Sequence, residues 1–126
     1  MNDTCPIEKT MEYVGKKWSI NIIRDLFMGR KRFKDFLEAN PELSTKMLSA
    51  RLKELEQHGV IHKDIVSTSP VLIEYELTAK GRSLNQILYA LSVYGIEHYG
   101  KELSCMKVTD KSRALRHMRE VLQVQA

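Results

Sequence analysis

Thr45, Lys46, Ser49 and Lys53 are spaced so that a helix would present them together, two hydroxyls and two ammonium groups on one face. Leu48, Leu52 and Leu55 fall on the opposite face and give that helix a side to bury. Hydroxyl and ammonium groups donate hydrogen bonds to phosphate oxygens and to acceptors on base edges, and a helix is an element that fits the major groove of a duplex. Arg51 lies at the boundary of the two faces, where it can reach a phosphate or pair with Glu54 or Glu56.

The charge is concentrated around this helix. The whole chain carries a modest net +4, yet Arg30 to Lys53 alone holds seven bases against three acids. Charge runs are usually solvated surface, but here the run precedes an outward-facing basic helix. Lys31, Arg32 and Lys34 are therefore expected to flank a groove and hold phosphates rather than read bases.

Other chemistries find little support. Glu8 with Glu12, and Glu54 with Glu56, are pairings that helices commonly contain, and His58, His62, His98 and His117 are scattered. No glycine-rich phosphate loop or nucleophile elbow is present, so the chain does not read as an enzyme and calls for no cofactor. Cys5 and Cys105 lack metal-ligand spacing and form no disulfide framework, so no metal site is expected and both thiols are expected to be reduced.

These residues must be positioned by a mainly helical α+β domain with a small hairpin. Cys5-Pro6 opens a helix through Val14, with Pro6 suited to the first turn and Gly15 interrupting. Trp18, Ile22, Ile23, Leu26 and Phe27 recur at helical spacing before Gly29, which predicts a core helix with Trp18 in its packing stripe. Phe33 to Asn40 makes a short third helix with Phe33, Phe36 and Leu37 inward, ended by Asn40-Pro41. Ser44 caps the fourth helix, which closes at Gln57-His58-Gly59, and the two short helices form a helix-turn-helix. Val60 to Ser67 and Val71 to Leu77 read as strands, the second alternating Ile73, Tyr75 and Leu77 with Glu74 and Glu76, with Thr68-Ser69-Pro70 as the turn. The hairpin has the position of a wing.

Thr78 then caps a long helix carrying Leu84, Ile87, Leu88, Leu91 and Tyr94, weakened by Gly95 and Gly100. After a polar break at Thr109-Asp110, the stripe Ala114, Leu115, Met118, Val121 and Leu122 has little of a small domain left to cover, which predicts packing on a second copy. With 126 residues, 43% hydrophobic and 29% charged, the chain has the size and composition of one soluble domain with an appended helical element. No apolar run is long enough to span a bilayer, and Met1-Asn2-Asp3-Thr4 lacks the features of a secretory signal, so the expected location is cytoplasmic.

The arrangement and its words resemble the HxlR-type branch of winged helix-turn-helix transcriptional regulators, relatives of the MarR type. The resemblance runs over about residues 5 to 100 through Cys5-Pro6-Ile7-Glu8-Lys9-Thr10, Gly15-Lys16-Lys17-Trp18, Ile23-Arg24-Asp25-Leu26, Lys31-Arg32-Phe33, the run Ser44 to Glu56, His58-Gly59-Val60-Ile61 and Glu74 to Gly81. It implies a DNA-binding domain over 1–100, with recognition helix 44–57 and wing 60–77, which leaves 101–126 as a C-terminal helical extension. It also implies a homodimer, built by the N- and C-terminal helices, that reads an inverted repeat in double-stranded DNA. The extension lies beyond the family match, and its dimer role is inferred from its stripe alone.

Two departures matter. Family wings often carry an arginine just before the strand with the Glu-Tyr pair, where this chain has Leu72, leaving Lys63 as the wing-side cation. Tyr94 stands where the family commonly shows tryptophan. Some relatives use a cysteine at the position of Cys5 to sense oxidants or electrophiles, and a helix N-terminus lowers a thiol pKa; the alternative is a small packed residue at the dimer surface. A small-molecule effector is also compatible with the pattern. The rival to DNA binding is a winged helix turned into a protein-interaction or dimerisation module, which has no need for an open face at Lys46 and Lys53.

Overall fold

The computed structural model describes residues 5–103 and 111–125, which fall in two compact units, one within Met1–Arg82 and one within Ser83–Ala126. In the first unit the order is α1 (Pro6–Val14), α2 (Ser19–Phe27), α3 (Phe33–Ala39), α4 (Thr45–Gln57), β1 (Ile61–Thr68), β2 (Val71–Leu77) and α5 (Ala79–Arg82). The core gathers the inward faces of these elements: Ile22, Ile23 and Leu26 from α2, Phe36 from α3, Leu48, Leu52 and Leu55 from α4, and Val60, Ile61 and Leu77 around the hairpin. Winged helix-turn-helix architecture follows from this order: a helical trio whose last member runs into a two-stranded antiparallel sheet.

The local signals act as their chemistry requires. Ser44 Oγ accepts from the Met47 N–H at 3.1 Å and starts α4, and Gly59, at φ 74°, supplies the left-handed turn that sends the chain into β1. Asp35 accepts from the Arg32 N–H at 3.1 Å and closes the first turn of α3. In the hairpin, Lys63 faces Tyr75, Asp64 faces Glu74 and His62 faces Glu76, with a register shift between Ile65 and Ser67. Gly81 must be glycine because a Cβ there would collide with the Val60 carbonyl oxygen.

Trp18 is not part of the α2 stripe. It precedes the helix with φ 78° and is half-buried, its ring beneath the Lys17 ammonium at 5.6 Å, because the Gly15 to Lys17 linker turns the chain before α2 begins. Nor does one helix run on from Thr78. Thr78 Oγ1 accepts from the Gly81 N–H at 3.1 Å and caps the single turn α5; a new helix begins at Asn85. Gly81 and Ser83, weak helix formers, lie at that break.

The second unit contains α6 (Asn85–Tyr99), a 3₁₀ turn (Gly100–Glu102) and α7 (Lys111–Val121). The α7 stripe, which the sequence assigns to packing on a second copy, meets α6 of its own chain along part of its length. Ala114 and Leu122 are buried, Arg119 Nη2 donates to the Tyr89 hydroxyl at 3.0 Å, and Asn85 Nδ2 donates to the Gln123 carbonyl at 3.2 Å. Folding back on α6 buries Ala114 and Leu122 and leaves Leu115, Met118 and Val121 part-exposed. The outer side of α6 keeps Ile87, Leu91 and Tyr94 exposed.

Candidate nucleic-acid interface

On α4, Leu48, Leu52 and Leu55 are buried while Thr45, Lys46, Ser49 and Lys53 are all exposed. Among the described residues, neither Lys46 nor Lys53 has an ion pair, so both ammonium groups are available to an incoming anion. Ala50 and Gln57 are exposed on the same side. Sequence reading passed over them because neither carries charge, although their offsets from Lys46 and Lys53 signal a shared face.

Arg51 is turned away from that face. Its side chain is 16% exposed; Nε donates to the Lys17 carbonyl at 2.8 Å and Nη1 lies 3.5 Å from Glu54 Oε2. The other Glu54 oxygen holds Lys16 Nζ at 2.9 Å. Of the partners open to Arg51, the structure supplies Glu54, and adds a backbone carbonyl from the linker between α1 and α2. Tyr13 of α1 stacks on His58 just past α4, with ring centroids 4.4 Å apart. The C-terminal half of α4 is thereby held against α1 and the linker that follows it.

Below α4 a buried polar knot sets the turn that leads to it. Asp25, fully buried, accepts from Arg24 Nη2 at 2.9 Å and Arg30 Nη1 at 3.2 Å on one oxygen, and from Asn40 Nδ2 at 2.7 Å on the other. Asn40 Nδ2 also donates to the Phe36 carbonyl at 2.8 Å, and the Asn40 carbonyl accepts from the Leu43 N–H at 2.9 Å. Sequence reading missed Asp25 and Asn40 as structural centres. The available signal was a carboxylate in the middle of the α2 apolar stripe.

The cations before α3 are divided. The Lys31 carbonyl accepts from the Tyr75 N–H at 2.8 Å, laying this segment along β2. Lys31 Nζ lies 3.8 Å from Glu76 and Arg32 Nε 3.5 Å from Glu74. Lys34 is exposed and, among the described residues, has no ion pair. A groove of about 420 Å³ lies between Arg32, Phe33 and Lys34 on one side and Val71, Leu72 and Ile73 on the other. Lys63 is exposed on β1. Burial, and then the Glu56 carboxylate, raise the Tyr75 hydroxyl pKa.

Cys5 sits at the N-cap of α1 and is exposed. The backbone N–H groups of Glu8 and then Ile7 stabilise its thiolate and lower its pKa below the ordinary thiol value. Cys105 and the Thr109-Asp110 break lie outside the described residues. Among the described residues no cluster of His, Cys, Asp and Glu could hold a metal ion, and no helix is long and apolar enough to cross a membrane.

A family model described as HxlR-like helix-turn-helix matches residues 13–103, all of the helix-turn-helix and hairpin. The chain belongs to the HxlR-like helix-turn-helix family. This regulator is 41% identical over 101 residues to the HTH-type transcriptional regulator sll1512 of Synechocystis sp., covering 80% of this chain and 74% of that relative. Its structure is similar to the reduced form of the transcriptional regulator YodB from B. subtilis, with TM-score 0.65, 35% identity and coverage of 76% of this chain and 95% of that one. It is likewise similar to the redox regulator HypR in its oxidized form, with TM-score 0.70, 33% identity and coverage of 75% and 97%. The chain is a transcriptional regulator of the HxlR and MarR type with a DNA-binding helix-turn-helix, in a family of regulators rather than enzymes.

Proposed function

We propose that the regulator is a cytoplasmic homodimer that reads an inverted repeat in double-stranded DNA, one α4 entering the major groove of each half-site. The observation that carries this is the open polar face of α4, with Lys46 and Lys53 unpaired over a fully buried leucine side. In this reading Thr45, Lys46, Ser49 and Lys53 contact bases and adjoining phosphates, Ala50 offers a methyl to a thymine, and Lys34, Arg32, Lys31 and Lys63 face phosphates. Arg51 positions α4 from behind. A protein-interaction module has no use for such a face, which favours the duplex as partner.

The dimer is proposed on the exposed apolar residues Ile7 and Met11 of α1 and Ile87, Leu91 and Tyr94 of α6. Selecting bound duplexes from a random pool is expected to return two related half-sites about one helical turn apart. Leu91→Glu is expected to yield a monomer by analytical ultracentrifugation and to lose most affinity for the selected duplex. A dimeric Leu91→Glu protein with full affinity, or a pool that returns no repeat, would refute this geometry.

Thiol oxidation is the proposed trigger, supported by the exposed Cys5 with its lowered pKa and by the similarity to HypR, a redox regulator. Because the thiolate is favoured, the alkylation rate of Cys5 in a Cys105→Ser background should rise with pH and level off below the pH at which a free peptide thiol does. Mild oxidant should change duplex affinity in the wild type and leave Cys5→Ser unchanged. An identical response in both proteins removes Cys5 from the mechanism.

A further inference from the structure

We propose that Glu74 and Glu76 of the wing are specificity-determining residues: by pairing Arg32 and Lys31 they keep these two cations from binding any duplex indiscriminately. The inference rests on the DNA-binding reading and concerns how that site rejects unmatched sequences.

The backbone bond from Tyr75 to Lys31 sets the register. Glu74 and Glu76 flank Tyr75 and share one face of β2, where Glu74 meets Arg32 at 3.5 Å and Glu76 meets Lys31 at 3.8 Å. The hairpin itself is acidic. Between Ile61 and Leu77 it carries Lys63 against Asp64, Glu74 and Glu76, and Asp64 stands directly across from Glu74. A wing built for gripping phosphates would show the opposite balance.

Stability does not account for these two pairs. Both cations and Glu76 are close to half-exposed, and ion pairs of that kind contribute at most about 1 kcal/mol to folding. Their effect on DNA binding is larger. Each cation that neutralises a phosphate steepens the dependence of log K on log salt by about 0.9, which amounts to roughly eightfold between 1 M and 0.1 M salt. Left unpaired, the two cations would add that gain to any duplex; paired, they withhold it from scrambled sequences. A phosphate takes Arg32 or Lys31 from its glutamate only where α4 is seated in a matched groove, so the matched duplex recovers the gain and the scrambled one does not.

The test uses the full chain and the variants Glu74→Gln, Glu76→Gln and their double, with Asp64→Asn as a control that removes one negative charge from the same hairpin without freeing a cation. Affinity for a selected and a scrambled duplex is measured over a salt series, with thermal melting to verify folding. The double variant is expected to bind the scrambled duplex about tenfold more tightly at low salt, with a slope steeper by one to two. The selected duplex should gain less, so the ratio of the two affinities falls. Asp64→Asn should leave the slope unchanged. Unchanged or weaker binding by the glutamine variants, or an Asp64→Asn effect equal to theirs, overturns the proposal while leaving DNA binding intact. A wild type that ignores every duplex at low salt overturns the DNA-binding reading, and this inference with it. Should the double variant melt early, the single variants carry the same comparison with half the change in slope.

Discussion

Asp25→Ala is expected to destabilise the first unit by about 3 kcal/mol, because a wholly buried carboxylate that accepts from three side chains is lost at once. The arginines matter less than the acid. Arg24 and Arg30 are more than a third exposed and can return to water, so each pair alone is worth little. Asn40 cannot return: it is 4% exposed, and without Asp25 its amide keeps only the Phe36 carbonyl and the surrounding side chains. Against a total stability of about 5 to 15 kcal/mol, a loss of this size should lower the melting temperature by roughly 10 to 20 °C. Asp25→Asn should retain less than half of the lost stability, since its amide nitrogen would face a donor. Urea unfolding followed by the fluorescence of Trp18 measures both, and Arg30→Ala, expected to cost under about 1 kcal/mol, is the internal contrast. A change of less than 1 kcal/mol for Asp25→Ala would show that the knot is incidental. Because Asn40 opens the turn into α4, DNA affinity should fall alongside stability.

Ser49→Ala and Lys46→Ala are expected to weaken the selected duplex by about 5- to 150-fold each, the range for one lost base contact. Both positions are exposed, so folding should change by no more than about 0.5 kcal/mol. Ser49→Ala is the cleaner of the two: it removes no charge, and the scrambled duplex should bind as before. Lys34→Ala should act oppositely, weakening both duplexes equally and flattening the salt slope by about 0.9. Gel shifts on both duplexes over a salt series separate these roles. Equal losses on both duplexes for Ser49→Ala would remove it from base reading and leave α4 as a general anion-binding helix.

How far the sequence was legible depends on the range of the interaction. Ser44, the leucine spacing of α4 and Gly59 act within one or two turns of chain, and the helix they delimit is present with its cap and buried side. The alternation of β2 likewise placed Leu77 inside and Glu76 outside, while Ile73, Glu74 and Tyr75 are all half-buried. The order of elements, with the family words along it, was enough for the winged helix-turn-helix. Arg51 shows the limit. Periodicity put it on a boundary, and its choice depended on a carbonyl 34 residues earlier in the chain. Lys31 and Arg32 resembled free cations because the glutamates that hold them are more than 40 positions away and meet them only through a strand edge.

The amino-acid pattern by itself determined which side of each element is apolar, where α4 begins and ends, and that its outer face is basic, since caps, glycines and a 3.6-residue period are local physics. Tertiary structure decided which charges remain available. It buried Asp25 under two arginines and an asparagine, turned Arg51 inward, tied Lys31 and Arg32 to the wing, and folded α7 onto α6. Charge pairing depends on distances between segments remote in sequence, and those distances exist only once the core has closed.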